Sequence, residues 1–151
     1  MSLFLPDEAA TQAFAARLHA ALPADIGGWT VLLDGELGVG KSTLARALIR
    51  AFGHAGAVPS PTYTLVEPYK LDCGNIYHVD LYRVAAEEEL RFLGWNELDD
   101  GLRLVEWPDR APELAASADL RISLGYMQAG RSLDLLGLSE RGRALAGKLS
   151  S

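Results

Sequence analysis

The stretch that decides the fold is Gly35-Glu36-Leu37-Gly38-Val39-Gly40-Lys41-Ser42, which follows the pattern G-x-x-x-x-G-K-[ST]. Its glycines carry no Cβ, so the chain can take left-handed turns and present backbone N–H groups to phosphate oxygens. Lys41 supplies the charge expected at the β- and γ-phosphates of a nucleotide, and the Ser42 hydroxyl, with Thr43 beside it, is the expected ligand of Mg²⁺. The stretch therefore predicts a cradle for nucleotide phosphates.

The residues on both sides of the cradle predict the strand and the helix that such a loop requires. Upstream, residues 29–33 form a short apolar run that ends in Asp34, which is typical of a buried strand. Downstream, apolar residues recur at helical spacing until Gly53; they are Leu44, Ala45, Leu48, Ile49 and Phe52. A helix that begins at the loop directs its N-terminal dipole and unpaired N–H groups toward the same anion.

Length and composition predict one globular domain over residues 1–151. The chain is 49% hydrophobic and 23% charged, and its formal net charge is −6. Affinity for nucleic acids comes mainly from basic patches that displace counterions, so this charge argues against a large nucleic-acid-binding face. If RNA is involved, we expect another protein to hold it.

The sequence favours a cytoplasmic protein. A lone cysteine, Cys73, excludes an internal disulfide and suits a reducing cytosol. No apolar run approaches the roughly 18 residues that span a bilayer. The N-terminus also lacks the basic and then apolar layout of a signal peptide.

The N-terminal segment predicts a short edge strand over residues 2–5 and then a helix that begins near Pro6 and runs to Pro23. The apolar stripe of this helix consists of Phe14, Leu18 and Leu22. Thr11 lies on the same helix, and the residues alone favour a solvated position for it.

The loop over residues 54–64 directly follows the predicted phosphate helix, and its two prolines and small residues exclude regular structure. In phosphate-loop proteins a loop in this place often carries a hydroxyl to the metal ion or the γ-phosphate. Thr62 and Thr64 are therefore candidates for a switch. Ordinary turn chemistry is the alternative.

Residues 64–71 and 75–84 are rich in β-forming residues, and the connection between them predicts an antiparallel hairpin. Asp80 lies inside the second run, where a carboxylate is costly to bury unless a cation or a donor meets it. Asp80 is therefore a candidate for the metal side of the site. Residues 85–93 predict an acidic helix whose carboxylates face solvent.

A strand predicted over residues 102–108 places Glu106 where the apolar run ends, which is the edge that binds ligands in α/β sheets. A second carboxylate of this kind, in a chain with a phosphate loop, favours a metal-binding or water-polarising role. A structural ion pair is the alternative. Trp107 either stacks on a ligand or packs against the protein.

The C-terminal part predicts a final hairpin over residues 118–126 and 131–138, followed by a helix over residues 139–149. Two hairpins introduce antiparallel strands into an otherwise parallel arrangement. The predicted fold is therefore a three-layer α/β P-loop NTPase-like fold with a mixed sheet.

Four segments, in this order, resemble the signature blocks of the bacterial TsaE (formerly YjeE) ATPases. They are residues 35–43 (GELGVGKST), 60–66 (SPTYTLV), 77–83 (YHVDLYR) and 105–108 (VEWP). The resemblance extends from about residue 11 to residue 131. The family loop usually reads GDLGAGKTT, so Glu36, Val39 and Ser42 depart from it. The chemistry is retained, because Glu36 keeps the charge and Ser42 keeps the hydroxyl.

The resemblance implies a small ATPase that is required for threonylcarbamoyladenosine formation in tRNA. TsaE-like proteins bind the complex of TsaD, which performs the carbamoyl transfer, and TsaB, its non-catalytic paralogue. Hydrolysis of ATP to ADP and phosphate is thought to reset that complex. The tRNA is then handled by the partners, in keeping with the acidic net charge of this chain.

The resemblance also implies site residues. ATP and Mg²⁺ are held by the loop residues Gly38, Val39, Gly40, Lys41, Ser42 and Thr43. Asp80 and Glu106 match the essential acidic positions of the family; either one orients the metal ion or the attacking water, and their roles are not separated. Thr11 matches a threonine near the nucleotide base, and Trp107 and Arg131 match positions near the nucleotide.

Three other functions use the same loop. A small-molecule kinase needs an acceptor pocket and usually an arginine-rich lid, whereas Arg46 and Arg50 alone flank the loop here. A GTPase is disfavoured because the sequence has no N-K-x-D motif. A nucleotide-dependent assembly factor, in which ATP binding matters and turnover is incidental, remains the alternative that is not an enzyme.

Overall fold

The computed structural model of the chain describes residues 2–61, 64–84, 89 and 93–150. The strands of this part are β1 (Ser2–Leu5), β2 (Thr30–Asp34), β3 (Val66–Leu71), β4 (Gly74–Asp80), β5 (Gly101–Glu106), β6 (Leu120–Met127) and β7 (Gly130–Gly137). They form one seven-stranded sheet in the order β1-β7-β6-β2-β5-β4-β3. The predicted edge strand at the N-terminus is confirmed, since β1 lies at one end of this order.

The α-helices of the described part are α1 (Glu8–Ala21), α2 (Lys41–Ala51) and α3 (Glu140–Ser150). Helix α1 begins where the sequence predicts, because Asp7 caps it by accepting a hydrogen bond from the Ala10 backbone N–H at 2.9 Å. Helix α2 begins at the phosphate loop, with Gly40 as its N-cap.

The sheet is mixed, as predicted. Strand β2 pairs in parallel with β5 and β6, and β4 pairs in parallel with β5. The two predicted hairpins are the antiparallel pairs β3–β4 and β6–β7, and β1 also pairs antiparallel with β7. The central position of β2 explains why its residues 31–33 are all apolar: a strand covered on both faces has no polar side to present.

Apolar residues pack on both faces of the central strands. On one face, Val31 and Leu33 of β2 belong to a core that also contains the buried hydrophobic residues of α1, α2 and α3. On the other face, Leu32 packs in a second cluster with Val105 and with Leu114. The second cluster is covered by 3₁₀ turns, including Pro112–Ala116. The architecture is an α/β, P-loop NTPase-like fold.

Several element boundaries differ from the prediction. Strand β4 ends at Asp80 rather than at residue 84, because the chain turns there: the Asp80 side chain accepts a hydrogen bond from the Tyr82 N–H at 2.9 Å, and the Val84 N–H donates to the Leu81 carbonyl at 2.9 Å. Asp80 is therefore at a strand end and not inside a strand. Strand β3 begins at Val66, two residues later than predicted. The helix predicted over residues 85–93 lies largely outside the described residues.

Among the helices of the described ranges, none is both long and apolar enough to cross a bilayer.

Candidate nucleotide-binding site

The carboxyl ends of three neighbouring parallel strands meet at one edge of the sheet. Strand β2 ends at Asp34, β4 at Asp80 and β5 at Glu106. Asp80 and Glu106 are paired in register, and Glu106 is also paired with Leu33 of β2. The phosphate loop leaves β2 at this edge, so the topology brings both predicted carboxylates to the loop.

The conformation of the loop requires glycine at several positions. Gly35, Gly38 and Gly40 have φ values of 144°, 79° and 116°, which side chains with a Cβ rarely adopt. A Cβ on Gly35 would also lie 2.5 Å from the Leu124 carbonyl oxygen. The side chain of Val39 is fully buried in the core, which anchors the loop and leaves its backbone on the surface of a cleft.

Lys41 is held inside the loop and is only 4% exposed. Its ammonium donates to the Gly35 carbonyl and, at 3.4 Å, to the Glu36 carbonyl. Burial lowers the pKa of Lys41, while Glu106 and the other nearby carboxylates act against that shift.

Trp107 covers the Lys41 ammonium, which lies 3.6 Å from the centroid of the indole ring. The Trp107 backbone has a φ of 59°, in the left-handed region, and Pro108 follows it in a 3₁₀ turn. The ring also lies 4.9 Å from the ring of Tyr82. Trp107 therefore both packs against the protein and faces the site, which the sequence left open.

Ser42 and Glu106 are in direct contact. The Ser42 hydroxyl lies 3.2 Å from Oε1 and 3.1 Å from Oε2 of Glu106, and the carboxylate is 3% exposed. Oε2 also lies 2.5 Å from Nε2 of His78. Asp80, 4% exposed, accepts a hydrogen bond from the Tyr82 N–H at 2.9 Å. The side-chain oxygens of Ser42, Asp80 and Glu106, which are possible metal ligands, thus lie beside the N-terminus of α2.

These oxygen donors fit Mg²⁺ in combination with a nucleotide. Mg²⁺ prefers oxygen ligands and is usually held by one or two carboxylates together with substrate phosphates. Ser42, Glu106 and Asp80 provide such ligands. No group of three or more His, Cys, Asp or Glu side chains in the described ranges is arranged to hold a metal ion by itself, so phosphate oxygens would complete the coordination.

Two clefts meet at the loop and divide the predicted site residues between them. One, of about 310 Å³, is lined by Thr11, Val39 and Arg131. The other, of about 180 Å³, is lined by Lys41, Ser42, Asp80, Glu106 and Trp107. Gly38, Gly40 and Thr43 line both. The two clefts therefore share the phosphate loop, which is the part of the site that the sequence predicts to bind phosphates.

The solvated position favoured for Thr11 is wrong. Thr11 is 8% exposed and lines the larger cleft. It precedes Phe14 by three residues and Ala15 by four, so it lies on the buried face of α1. That spacing was visible in the sequence. The position near the nucleotide base that the family resemblance implies for Thr11 stays a prediction.

Arg131 braces the phosphate loop from the β6–β7 hairpin. Its Nε donates to the Val39 carbonyl at 2.8 Å, and its guanidinium lies 4.6 Å from the centroid of the Tyr126 ring. The Tyr126 hydroxyl donates to the Leu37 carbonyl at 3.3 Å. Sequence reasoning missed Tyr126, because only the parallel pairing of β6 with β2 brings the hairpin to the loop.

The structure leaves the switch prediction open. Thr62 lies outside the described residues. Thr64 is exposed, its hydroxyl donates to Glu67 at 2.8 Å, and it is not among the residues that line the two clefts. The end of this loop is nevertheless linked to the site, since the Leu65 carbonyl accepts a hydrogen bond from the Asp80 N–H at 2.9 Å.

Sequence reasoning also missed His78, which is 1% exposed and contacts Glu106. The signal was the alternation along β4, in which residues two apart share a face of the sheet. His78 and Asp80 are two apart and therefore point to the same side as Glu106, the register partner of Asp80.

The fold and the loop together define a protein of the P-loop, nucleotide-binding class. The family model described as "Threonylcarbamoyl adenosine biosynthesis protein TsaE" matches residues 5–133, and the chain belongs to this family.

Individual relatives agree with this membership. The chain is 38% identical over 123 residues to the tRNA threonylcarbamoyladenosine biosynthesis protein TsaE of Haemophilus influenzae, covering 80% of this chain and 78% of the relative. It is 37% identical over 119 residues to the protein of the same name from Synechocystis, covering 76% and 74%. Among solved structures, the crystal structure of Bacillus subtilis YdiB is similar, with a TM-score of 0.78, 25% identity and coverage of 99% of this chain and 93% of that one.

Proposed function

We propose that this protein binds ATP with Mg²⁺ and hydrolyses it to ADP and phosphate in support of threonylcarbamoyladenosine formation in tRNA. The observation that carries the proposal is the meeting of the half-buried Ser42 with the buried residues Lys41, Asp80 and Glu106 in one cleft beside the phosphate loop. The printed names of the relatives, tRNA threonylcarbamoyladenosine biosynthesis proteins, support the pathway.

In this proposal the chain contributes mainly position and charge, as is usual in phosphoryl transfer. The backbone N–H groups of the loop and of the first turn of α2 bind the phosphates, and Lys41 places its charge at the β- and γ-phosphates. Ser42, Glu106 and Asp80 would hold Mg²⁺, which when bound would neutralise charge on the phosphate oxygens. Asp80 or Glu106 would orient the metal ion or the attacking water.

The larger cleft binds the nucleoside. Thr11 contacts the base end of the nucleotide, and Arg131 keeps the Val39 carbonyl, and with it the loop, in the phosphate-binding conformation. Trp107 shields the smaller cleft, where the terminal phosphate would lie, from solvent. Thr62 and Thr64 remain candidates for a switch that a partner orders, so we expect slow turnover by the isolated chain.

The proposed partners are TsaD and TsaB. With a net charge of −6, this chain has no evident means of holding tRNA by itself, so the tRNA is reached only through those partners. We further propose that residues 1–151 form one ATPase domain, that it binds no membrane, and that it works in the cytoplasm.

A phosphate-release assay tests the activity. Purified protein is incubated with ATP and Mg²⁺, alone and with TsaB and TsaD, and the released phosphate is measured. In a separate experiment, association of the three proteins is measured by pull-down with and without ATP. We expect slow release alone and faster release with the partners. Robust transfer of phosphate to a nucleoside or sugar without hydrolysis would identify a kinase instead. Nucleotide-dependent association without partner-stimulated turnover would identify an assembly factor.

A further inference from the structure

His78 is a buried polar residue that the proposed mechanism does not use. It lies on β4, two residues before Asp80, and only 1% of its surface is exposed. Its Nε2 atom is 2.5 Å from Oε2 of Glu106. A histidine in the core at contact distance from a carboxylate that faces a phosphate loop needs a physical explanation.

The hydrogen-bonding of the ring indicates which nitrogen carries the proton. Nδ1 is buried and has no hydrogen-bond partner among the described residues. A neutral imidazole has one N–H donor and one acceptor nitrogen, and a buried N–H without an acceptor is costly. Nε2 therefore carries the hydrogen, and its N–H group donates a hydrogen bond to Oε2 of Glu106.

This hydrogen bond restrains the carboxylate that the proposed metal site depends on. Glu106 is held at Oε2 by His78 and contacted at both oxygens by the Ser42 hydroxyl. Oε1 has Ser42 as its only described hydrogen-bond partner, so it is the oxygen that remains more available to a ligand. Groups that orient a metal ligand in this way affect metal affinity strongly.

We propose that His78 is a positioning residue that fixes the Glu106 carboxylate in the orientation that binds the Mg²⁺ of a bound nucleotide. The inference rests on the proposed function, since it assigns a role within the same site. The alternative is a purely structural role, in which His78 only fills the space between β4 and its neighbours.

The test separates these two roles by substitution. His78→Gln keeps an N–H donor at nearly the same distance from the backbone as Nε2, whereas His78→Leu fills a similar volume without a donor. Val79→Ala is the matched control, because Val79 is the next residue of β4 but belongs to the core on the opposite face. Mn²⁺ binding is measured by electron paramagnetic resonance on each variant saturated with AMP-PNP, and AMP-PNP affinity is measured separately in EDTA.

We expect His78→Leu to weaken Mn²⁺ binding by about 10-fold or more, in the range typical of groups that orient metal ligands. His78→Gln stays within about threefold of the wild type, and Val79→Ala loses stability but keeps its Mn²⁺ affinity. The affinity for AMP-PNP in EDTA stays the same in all variants. If His78→Leu does not fold, His78→Asn is used instead, because the shorter asparagine side chain holds its N–H donor too far from Glu106. The same loss of Mn²⁺ affinity is expected.

The positioning role would be overturned if His78→Leu, or His78→Asn in its place, bound Mn²⁺ as tightly as the wild type. It would also be overturned if His78→Gln folded but bound Mn²⁺ as weakly as His78→Leu. The measurement needs no hydrolysis. Weak Mn²⁺ binding by His78→Leu would support the positioning role even if the wild-type protein released no phosphate with its partners, and that second result would contradict the ATPase proposal alone. Normal hydrolysis with unaltered Mn²⁺ binding would contradict the positioning role alone.

Discussion

Lys41 has its ammonium between the carbonyls of its own loop and the ring of Trp107. Those contacts are the ones that a phosphate would replace, because a phosphate oxygen is a stronger partner for an ammonium than a neutral carbonyl. In the proposed function, this buried position would let a single lysine dominate phosphate binding in a chain with a negative net charge.

Lys41→Ala is therefore expected to remove nucleotide binding. Loss of charged contacts worth about 3 kcal/mol corresponds to an affinity at least about 100-fold weaker. Isothermal titration calorimetry with ATP and Mg²⁺ measures the effect. Lys70→Ala is the control, since Lys70 is an exposed residue of β3. Equal affinities for the two variants would contradict the assignment of the loop.

Glu106→Ala is expected to give a different result, in which ATP still binds but turnover falls by about 100-fold or more. The reason is that the loop and Lys41 hold the phosphates, whereas Glu106 acts on the metal ion and the water. Phosphate release is measured with TsaB and TsaD present, beside the exposed-site control Glu113→Ala. Normal hydrolysis by Glu106→Ala would show that the catalytic assignment is wrong.

At the scale of elements, helix α3 contains two glycines in opposite surroundings. A Cβ on Gly142 would lie 1.6 Å from the Asp119 carbonyl oxygen, whereas a Cβ on Gly147 would meet no atom within 4 Å. The close approach at Gly142 brings the first turn of α3 against the start of β6, where Ser139 accepts a hydrogen bond from the Gly142 N–H at 3.0 Å.

The two alanine substitutions in α3 are expected to change stability in opposite directions. Gly147→Ala stabilises by about 0.5–1 kcal/mol, because alanine loses less backbone entropy in a helix. Gly142→Ala destabilises by about 1–3 kcal/mol, because the helix must move away from β6. Urea unfolding followed by circular dichroism measures both. A stabilised Gly142→Ala variant would mean that α3 does not pack this closely.

At the scale of the whole molecule, Asp119 ties the C-terminal helix to the centre of the sheet. Its carboxylate accepts hydrogen bonds from the Thr30 N–H at 3.0 Å, from Ser139 at 2.7 Å and from Nε of Arg141 at 2.8 Å. Burial acts to raise the pKa of Asp119, but the hydrogen bonds from Arg141, Thr30 and Ser139 outweigh it and hold that pKa below its ordinary value.

This depressed pKa predicts how stability depends on acid. A carboxyl whose folded-state pKa lies below its unfolded-state value stabilises the fold above the unfolded value, and that contribution is lost as the pH falls through the folded value. Asp119→Asn is therefore expected to cost about 1–3 kcal/mol near pH 7 and progressively less below pH 4.

Urea unfolding at several pH values measures this dependence, with Asp72→Asn as the control because Asp72 is exposed. A constant difference between Asp119→Asn and the wild type from pH 7 to pH 3 would contradict the role given to the Asp119 network.

Much of this architecture could be predicted because its signals are local. The glycines, Lys41 and Ser42 act through the backbone and the helix that immediately follow them, and the pairs β3–β4 and β6–β7 are joined by short turns. The position of Glu106 at a strand end was also visible, since an apolar run stops there. The end of β4 at Asp80 was not, because the run of β-forming residues continues to residue 84 and conceals the turn that follows Asp80.

The sequence by itself determined the phosphate loop, the mixed α/β fold and the family, since each depends on residue types at short spacing. Only the tertiary structure decided that Thr11 is buried at a cleft, that Arg131 and Tyr126 hold the loop, and that His78 contacts Glu106. Those contacts join residues far apart in the chain. They arise from the order and direction of the strands, which no single stretch of sequence encodes.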